Sequence, residues 1–261
     1  MTTKTALITG ASSGIGQTFA EELANCQTNL ILVARSQDKL YQLAQQLQAA
    51  NSVKVDVIVQ DLTETQAGQK VYDQVKNQGL SVDLLINNAG FGDYGLFVER
   101  DLSRQLDMVQ LNITVLVELT HLFLKEMQQQ NNGGIINVAS IAAFQALPYL
   151  STYAATKAFV LSFSESLWAE NQDTGVNILA LCPGPTESNF FEKADFPVAF
   201  ARQSKKGLTS AEEVVKDALQ ALENHQSNIV TGGLGNQVIV NASRFLPREW
   251  LTKAVKKQFS A

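Results

Sequence analysis

Short apolar runs alternate with longer amphipathic stretches along the whole chain, and that alternation most constrains its fold. TALITG (5–10), NLILVAR (29–35), VKVDVIVQDL (53–62), DLLINNAG (83–90), GIINVAS (134–140), NILALCPG (177–184) and SNIVTGG (227–233) are brief and rich in Val, Ile and Leu. Most end at Gly, Asn, Asp or Ser, so they read as strands. Between them the apolar spacing turns helical. DKLYQLAQQLQ sets Leu40, Leu43 and Leu47 on one face, and similar patterns run from about Arg104 to Met127 and from about Thr152 to Glu170. Strand and helix in regular alternation predict an α/β fold with a parallel seven-stranded sheet and helices on both faces. Right-handed crossovers make it doubly wound, a Rossmann-type three-layer α/β/α arrangement. No Pro- or Gly-rich linker interrupts the pattern, which predicts one domain over 1–261. QQQNNGG (128–134) reads as a helix end and turn.

Composition removes several function classes. The net charge is -5 and the pI about 5.1, and nucleic-acid binding needs clustered Lys and Arg. The two cysteines, Cys26 and Cys182, are far apart with no His beside them in sequence, so neither a disulfide scaffold nor a zinc site is expected. No metal is expected. MTTKTALITGASSG has too short an apolar run for a signal peptide, and no window is expected to approach the length of a membrane span. The expected location is the cytoplasm.

In a doubly wound sheet, ligands bind beyond the carboxyl ends of the strands, so the residues after each strand are the place to look. The first strand runs into TGASSGIG and then the helix TFAEELA. Its glycines allow a tight turn and close backbone approach to a phosphate, and the helix start offers free N–H groups and a positive dipole end. The turn residues Gly10, Ser12, Ser13, Gly14, Ile15 and Gly16 are therefore candidate contacts to a dinucleotide. No GK[ST] follows, so a P-loop is excluded. An NAD site commonly has Asp or Glu at the end of the second strand, whereas this strand ends in Ala34 and Arg35. A guanidinium there suits a 2′-phosphate and favours NADP(H), with Ser13 and Lys39 in support.

The stretch STYAATKAF (151–159) sets Tyr153 and Lys157 four apart, neighbours on one helix face. With these residues the chain resembles the short-chain dehydrogenase/reductase family along nearly its whole length. TGASSGIG is similar to the family's TGxxxGxG turn, NNAG (87–90) to its motif after the fourth strand, and PGPTES (183–188) to the segment around the nicotinamide. Asn112, Ser140, Tyr153 and Lys157 match its Asn-Ser-Tyr-Lys tetrad. The resemblance implies hydride transfer between a nicotinamide and a carbonyl or alcohol carbon. A free phenol, with a pKa of roughly 10, is a poor base at neutral pH. A neighbouring ammonium is expected to lower that value, making Tyr153 general acid in reduction and general base in oxidation. Ser140, at the end of the fifth strand, can hydrogen-bond the substrate oxygen. The resemblance further implies that Lys157 holds the nicotinamide ribose and that Asn112 holds a water linking Lys157 to solvent. It sets Asp61 and Leu62 beside the adenine, Asn88, Ala89 and Gly90 along the cofactor, and Pro183, Gly184 and Thr186 at the nicotinamide end. Asn87 is expected to tie neighbouring strands together, and Cys182 to be a small buried residue.

Aromatic and apolar residues near the expected pocket mouth are Phe91, Phe144, Leu147, Tyr149, Phe190, Phe191, Phe196 and Phe200. They point to a hydrophobic ketone or aldehyde, and the segment at about 188–207 falls where the family carries a substrate lid. Reduction is the expected direction, because cells keep NADP mostly reduced. Helices around Val109–Phe123 and Phe159–Leu167 are expected to form a homodimer or homotetramer interface. The tail SRFLPREWLTKAVKKQF (243–259) mixes apolar and basic residues. It is expected to pack on the domain or a second subunit in preference to a membrane surface. The alternative function is a catalytically silent NADP(H)-binding sensor, which need not keep all four tetrad residues. Sugar-nucleotide epimerases differ in glycine spacing and carry a larger C-terminal region.

Overall fold

Strands β1 (Thr5–Thr9), β2 (Asn29–Ala34), β3 (Val55–Val59), β4 (Leu84–Asn87), β5 (Gly133–Val138), β6 (Val176–Cys182) and β7 (Asn228–Val230) form one sheet in the order β3-β2-β1-β4-β5-β6-β7. The structure is a computed structural model that describes residues 4–188, 190–197 and 208–259. Every strand pair is parallel. The chain winds outward from β1 to β3, then crosses back to place β4 on the other side of β1. That reversal opens a crevice beyond the carboxyl ends of β1 and β4.

Alternation along the strands builds two cores. Ile8, Leu32, Ile86 and Leu179 face α1 (Gly14–Asn25), α2 (Gln37–Ala50) and α8 (Ala211–Glu223), which contribute Phe19, Leu43 and Val214 among others. Leu7, Ile31, Leu85 and Ile178 face the opposite layer, where α3 (Ala67–Asn77) and α5 (Val115–Gln130) supply Val71, Leu119 and Phe123. On that side α6 (Ser151–Glu170) packs on β6 through Val160 and Leu161. Strands buried on both faces must read as continuous apolar runs, which is why they were legible.

The pattern expected from Arg104 to Met127 is a single 29-residue helix, Leu102–Gln130, made of α4 (Leu102–Val109), a π-helical turn (Gln110–Thr114) and α5. It corrects the expectation that no segment approaches membrane-span length, because by length and composition this helix does. Its apolar residues Val115, Leu119, Phe123 and Met127 lie in the core against the sheet, as a core helix requires. Of the surfaces expected to form an oligomer interface, Val109 and Phe159 are exposed, as are Leu102 and Leu106 just before them.

The tail is not one element. α9 (Gly233–Phe245) ends before Pro247, and α10 (Arg248–Phe259) begins after it. Proline cannot donate the N–H that would carry α9 onward. Val255 is buried and Leu251 half-buried, in a cluster with Met108 and Phe196. Phe245, Leu246 and Trp250 face outward.

Candidate active site

Gly10, at φ +67°, turns the chain out of β1, and α1 starts at Gly14. Ser13 makes no side-chain cap to the first turn of α1, and Ser13, Gly14 and Ile15 line a cleft of about 1440 Å³. Uncapped N–H donors at a positive helix end, facing a cleft, fit a diphosphate. Gly16 differs from its neighbours in the turn. It is buried and off the cleft wall, and a Cβ there would strike the Asn88 amide and the Gly10 carbonyl. Gly16 is needed so that α1 can close onto its own turn. Asn88 completes that packing by donating to the carbonyls of Thr9 at 2.9 Å and Gly10 at 3.3 Å.

Ala34, Arg35 and Lys39 line the adenosine end, where Arg35 is exposed. Among the described residues no carboxylate forms an ion pair with Arg35. Asp61 lies on the same wall and accepts from the Thr63 N–H at 2.9 Å and the Thr63 hydroxyl at 2.8 Å. Burial alone would raise its pKa, but those bonds and the Arg35 charge outweigh it and hold the carboxyl below its usual range. Leu62 lines the same wall, and its side chain is largely part of the core. Asn87 ties β4 to its neighbours, donating to Asn137 at 2.9 Å and Thr120 at 3.0 Å. Ala89 and Gly90 follow on the cleft wall.

The tetrad comes from three elements. Ser140 follows β5, and its Oγ accepts from the Ala142 N–H at 3.1 Å and lies near enough to the Tyr153 phenol to act on its pKa. Tyr153 and Lys157 sit on successive turns of α6, 9% and 5% exposed, and both line the cleft. Lys157 Nζ donates to the Val138 carbonyl at 2.7 Å and stands 5.8 Å from the Tyr153 ring centroid. The expectation that Lys157 lowers the phenol's pKa is corrected. Burial pushes Tyr153 up to about 12 against the opposing influence of the Ser140 hydroxyl, and burial brings Lys157 down to about 8. Desolvation is the largest influence on both groups, opposed at the phenol by Ser140 and at the ammonium by Cys182. A phenol in that condition is protonated at neutral pH and ready to donate.

Asn112 lies in the π-helical turn, 1% exposed. Its Nδ2 donates to the Phe91 carbonyl at 3.0 Å and to Thr156 Oγ1 at 3.1 Å, while Oδ1 accepts from the Phe91 N–H at 3.1 Å. Thr156 in turn donates to the Tyr153 carbonyl at 2.7 Å. The side chain is engaged on protein groups, where it joins the loop after β4 to the helix of Tyr153. A Cβ on Gly90 would lie 2.9 Å from Asn112 Oδ1 and 3.5 Å from Lys157 Nζ, so that position admits little.

At the nicotinamide end, Pro183, Gly184 and Thr186 line the cleft, and Thr186 Oγ1 donates to the Gly184 carbonyl at 2.9 Å. Asn236 on α9 packs on Gly184 so closely that a Cβ there would collide with its amide. That amide donates to the carbonyls of Thr231 at 2.8 Å and Gly232 at 3.1 Å. Cys182 is fully buried and its thiol is pushed up to about 12 by burial.

Phe91, Leu147, Phe190, Phe191 and Phe196 line the substrate side. Phe144 and Tyr149 do not. Phe144 packs with the buried cluster of Val160 and Cys182, and Tyr149 stacks on Tyr94 at 5.7 Å. Phe200 and most of the expected lid from 198 onward lie outside the described residues. The described part carries α7 (Phe190–Lys193), whose Phe190 ring lies 5.2 Å from that of Tyr153. Gly92 makes room for this, since a Cβ there would meet Phe190 at 2.8 Å.

Sequence reasoning missed the anchor of this segment. The Asp93 carboxylate is 0% exposed and accepts from Arg100 Nε at 2.8 Å, Arg104 Nε at 2.7 Å and Gln105 Nε2 at 2.6 Å. Arg100 also pairs with Asp195 at 2.7 Å, and Arg104 donates to the Lys193 carbonyl at 2.7 Å. Burial would raise the Asp93 pKa, but Arg100 and Arg104 hold it below the ordinary carboxylate range. The only signals in sequence were a lone acid in GFGDYG and two arginines four apart.

A family model described as short chain dehydrogenase matches residues 4–196. The chain is 35% identical over 183 residues to mouse (Mus musculus) 17-beta-hydroxysteroid dehydrogenase type 3, covering 68% of this chain and 58% of the mouse protein. The chain thus spans little more than half the length of that relative. A solved short-chain dehydrogenase from Sphingobium yanoikuyae in complex with NADPH superposes with a TM-score of 0.81 at 30% identity, over 93% of this chain and 94% of the other. One from Burkholderia phymatum in complex with NAD gives a TM-score of 0.81 at 25% identity, over 95% and 93%.

Proposed function

This chain belongs to the short-chain dehydrogenase family, and from that premise we propose that it is an NADP(H)-dependent oxidoreductase reducing a hydrophobic ketone or aldehyde. The observation that carries the reading is the half-buried Ser140 beside the buried Tyr153 and Lys157 on one wall of a cleft whose other end is the uncapped start of α1. The bound dinucleotide supplies the hydride. Tyr153, protonated at neutral pH, gives its proton to the substrate oxygen as negative charge develops there. Ser140, beside that phenol on the cleft wall, is placed to steady the same oxygen. Lys157 has one N–H on Val138 and keeps two for the ribose and for the phenolate left behind.

Arg35 and Lys39 on the adenosine wall, with no acid at the end of β2, support a 2′-phosphate and hence NADP(H). The aromatic wall from Phe91 to Phe196 supports a large apolar substrate, as does the steroid in the name of the mouse relative. Two cysteines without a disulfide, in an acidic chain, suit a reducing cytoplasmic setting.

The test is nicotinamide absorbance across a panel of ketones and aldehydes, with NADPH and NADH in parallel. The expected result is turnover that prefers NADPH and rises with substrate apolarity. A strong NADH preference overturns the Arg35 reading, and preference for small charged carbonyls overturns the substrate class. Tight cofactor binding without oxidation by any carbonyl overturns the enzymatic role.

A further inference from the structure

The tip between α9 and α10 is unusually apolar for an exposed surface. Phe245 is 84% exposed, Trp250 74%, Val238 67% and Leu246 50%. Scattered exposed apolar residues are ordinary, but two large aromatics and two aliphatics within thirteen residues of two consecutive helices are not. Val238 and Phe245 are seven apart on α9 and so share a face. Beside them α10 carries Arg248, Lys253, Lys256 and Lys257 against one acid, Glu249, on a chain whose overall charge is -5. The expectation that this tail packs on the domain is therefore half met: Val255 turns inward and Trp250 outward.

We propose that the α9–α10 tip docks on an anionic lipid surface, with Phe245, Leu246 and Trp250 at the boundary between headgroups and acyl chains and the lysines of α10 against the headgroups. Tryptophan and phenylalanine beside basic residues are the composition such interfacial helices use. Charge complementarity selects this occupant. A second copy docked through a two-fold axis would bring Arg248, Lys253 and Lys256 near their own images, whereas an anionic leaflet attracts them. The same helices wall the cleft through Ile239 on α9 and Leu251 and Val255 on α10, so docking sets lipid beside elements of the substrate site. Docking does not rest on the proposed reduction; its relevance to apolar substrates does.

The experiment is co-sedimentation of the full chain with vesicles of phosphatidylcholine alone or mixed with phosphatidylglycerol, at low and high salt, beside sedimentation velocity without lipid. Binding is expected to be about 10-fold tighter to the anionic vesicles and to weaken as salt rises. Trp250→Glu and Phe245→Glu should each cut it about 10-fold while thermal unfolding and turnover of a water-soluble carbonyl stay unchanged. Should either variant fail to fold, Trp250→Ser and Phe245→Ser serve the same comparison. In the Trp168→Phe background Trp250 is the sole tryptophan, and its emission should shift to the blue on anionic vesicles. Absence of vesicle binding overturns the proposal, as does binding indifferent to Trp250. So does a dimer that Trp250→Glu dissociates, which would make a second copy the occupant.

Discussion

Lys157 Nζ donates to the carbonyl of Val138 at 2.7 Å, joining the tyrosine-bearing helix to the end of the strand that delivers Ser140. Burial sets the Lys157 pKa to about 8, so its charge is present below that pH and lost above it, while Tyr153, pushed up to about 12, keeps its proton throughout. For reduction, kcat/KM should therefore be level up to about pH 8 and fall above it. For alcohol oxidation, which needs the phenolate, the rate should climb with pH. Initial-rate profiles in both directions check this, and Lys157→Arg should move the alkaline fall to higher pH because guanidinium keeps its charge.

Replacing Tyr153 with Phe removes the proton donor and retains the ring against Phe190. Reduction should slow by ~10²–10⁴-fold in kcat, with NADPH affinity nearly unchanged. Stopped-flow turnover beside fluorescence titration of the cofactor separates the two. Loss of cofactor binding in step with activity would assign Tyr153 a structural role instead.

Arg35→Asp replaces a guanidinium with a carboxylate at the adenosine wall. Charge-assisted hydrogen bonds are worth ~1.5–3 kcal/mol, so the ratio of NADPH to NADH efficiency should fall by about 10–100-fold. The ratio of kcat/KM for the two cofactors measures it directly.

Asp93→Asn should loosen the anchor between α4 and α7. The carboxylate is 0% exposed, but Arg100 and Arg104 are 25% and 37% exposed, so water screens part of the interaction. The loss should be about 2 kcal/mol, below the ~3–5 of a fully buried pair. Thermal unfolding should shift down by roughly 4–8 °C. KM for apolar carbonyls should rise more than kcat falls, because the aromatic wall of α7 is what comes loose.

Much of this was readable from one dimension because chemistry in a parallel sheet collects where strands stop. Gly10, Arg35, Asp61, Asn88, Ser140 and Pro183 each follow a β-run, and Tyr153 and Lys157 need only helical spacing to share a face. What escaped depends on neighbours distant in sequence. That Gly16 must lack a side chain to pack against Asn88 shows only when the two are seen together. Phe144 and Tyr149 carry the same chemistry as Phe190 and differ only in where the backbone aims them. The Asp93 network needs α4 and α7 to be adjacent, and the phenol's pKa needs its burial; neither has a local signature.

The π-helical turn at Gln110–Thr114 makes that helix sensitive to its residue count. Each helical residue adds about 100° of rotation, so removing one there would straighten the ladder while spinning everything upstream relative to α5. Arg104 would swing away from Asp93, and Asn112 would release Phe91 and Thr156. A homologue one residue shorter at this place could keep every polar group of the tetrad in its sequence and still present a different pocket, so gaps in an alignment here matter more than mismatches.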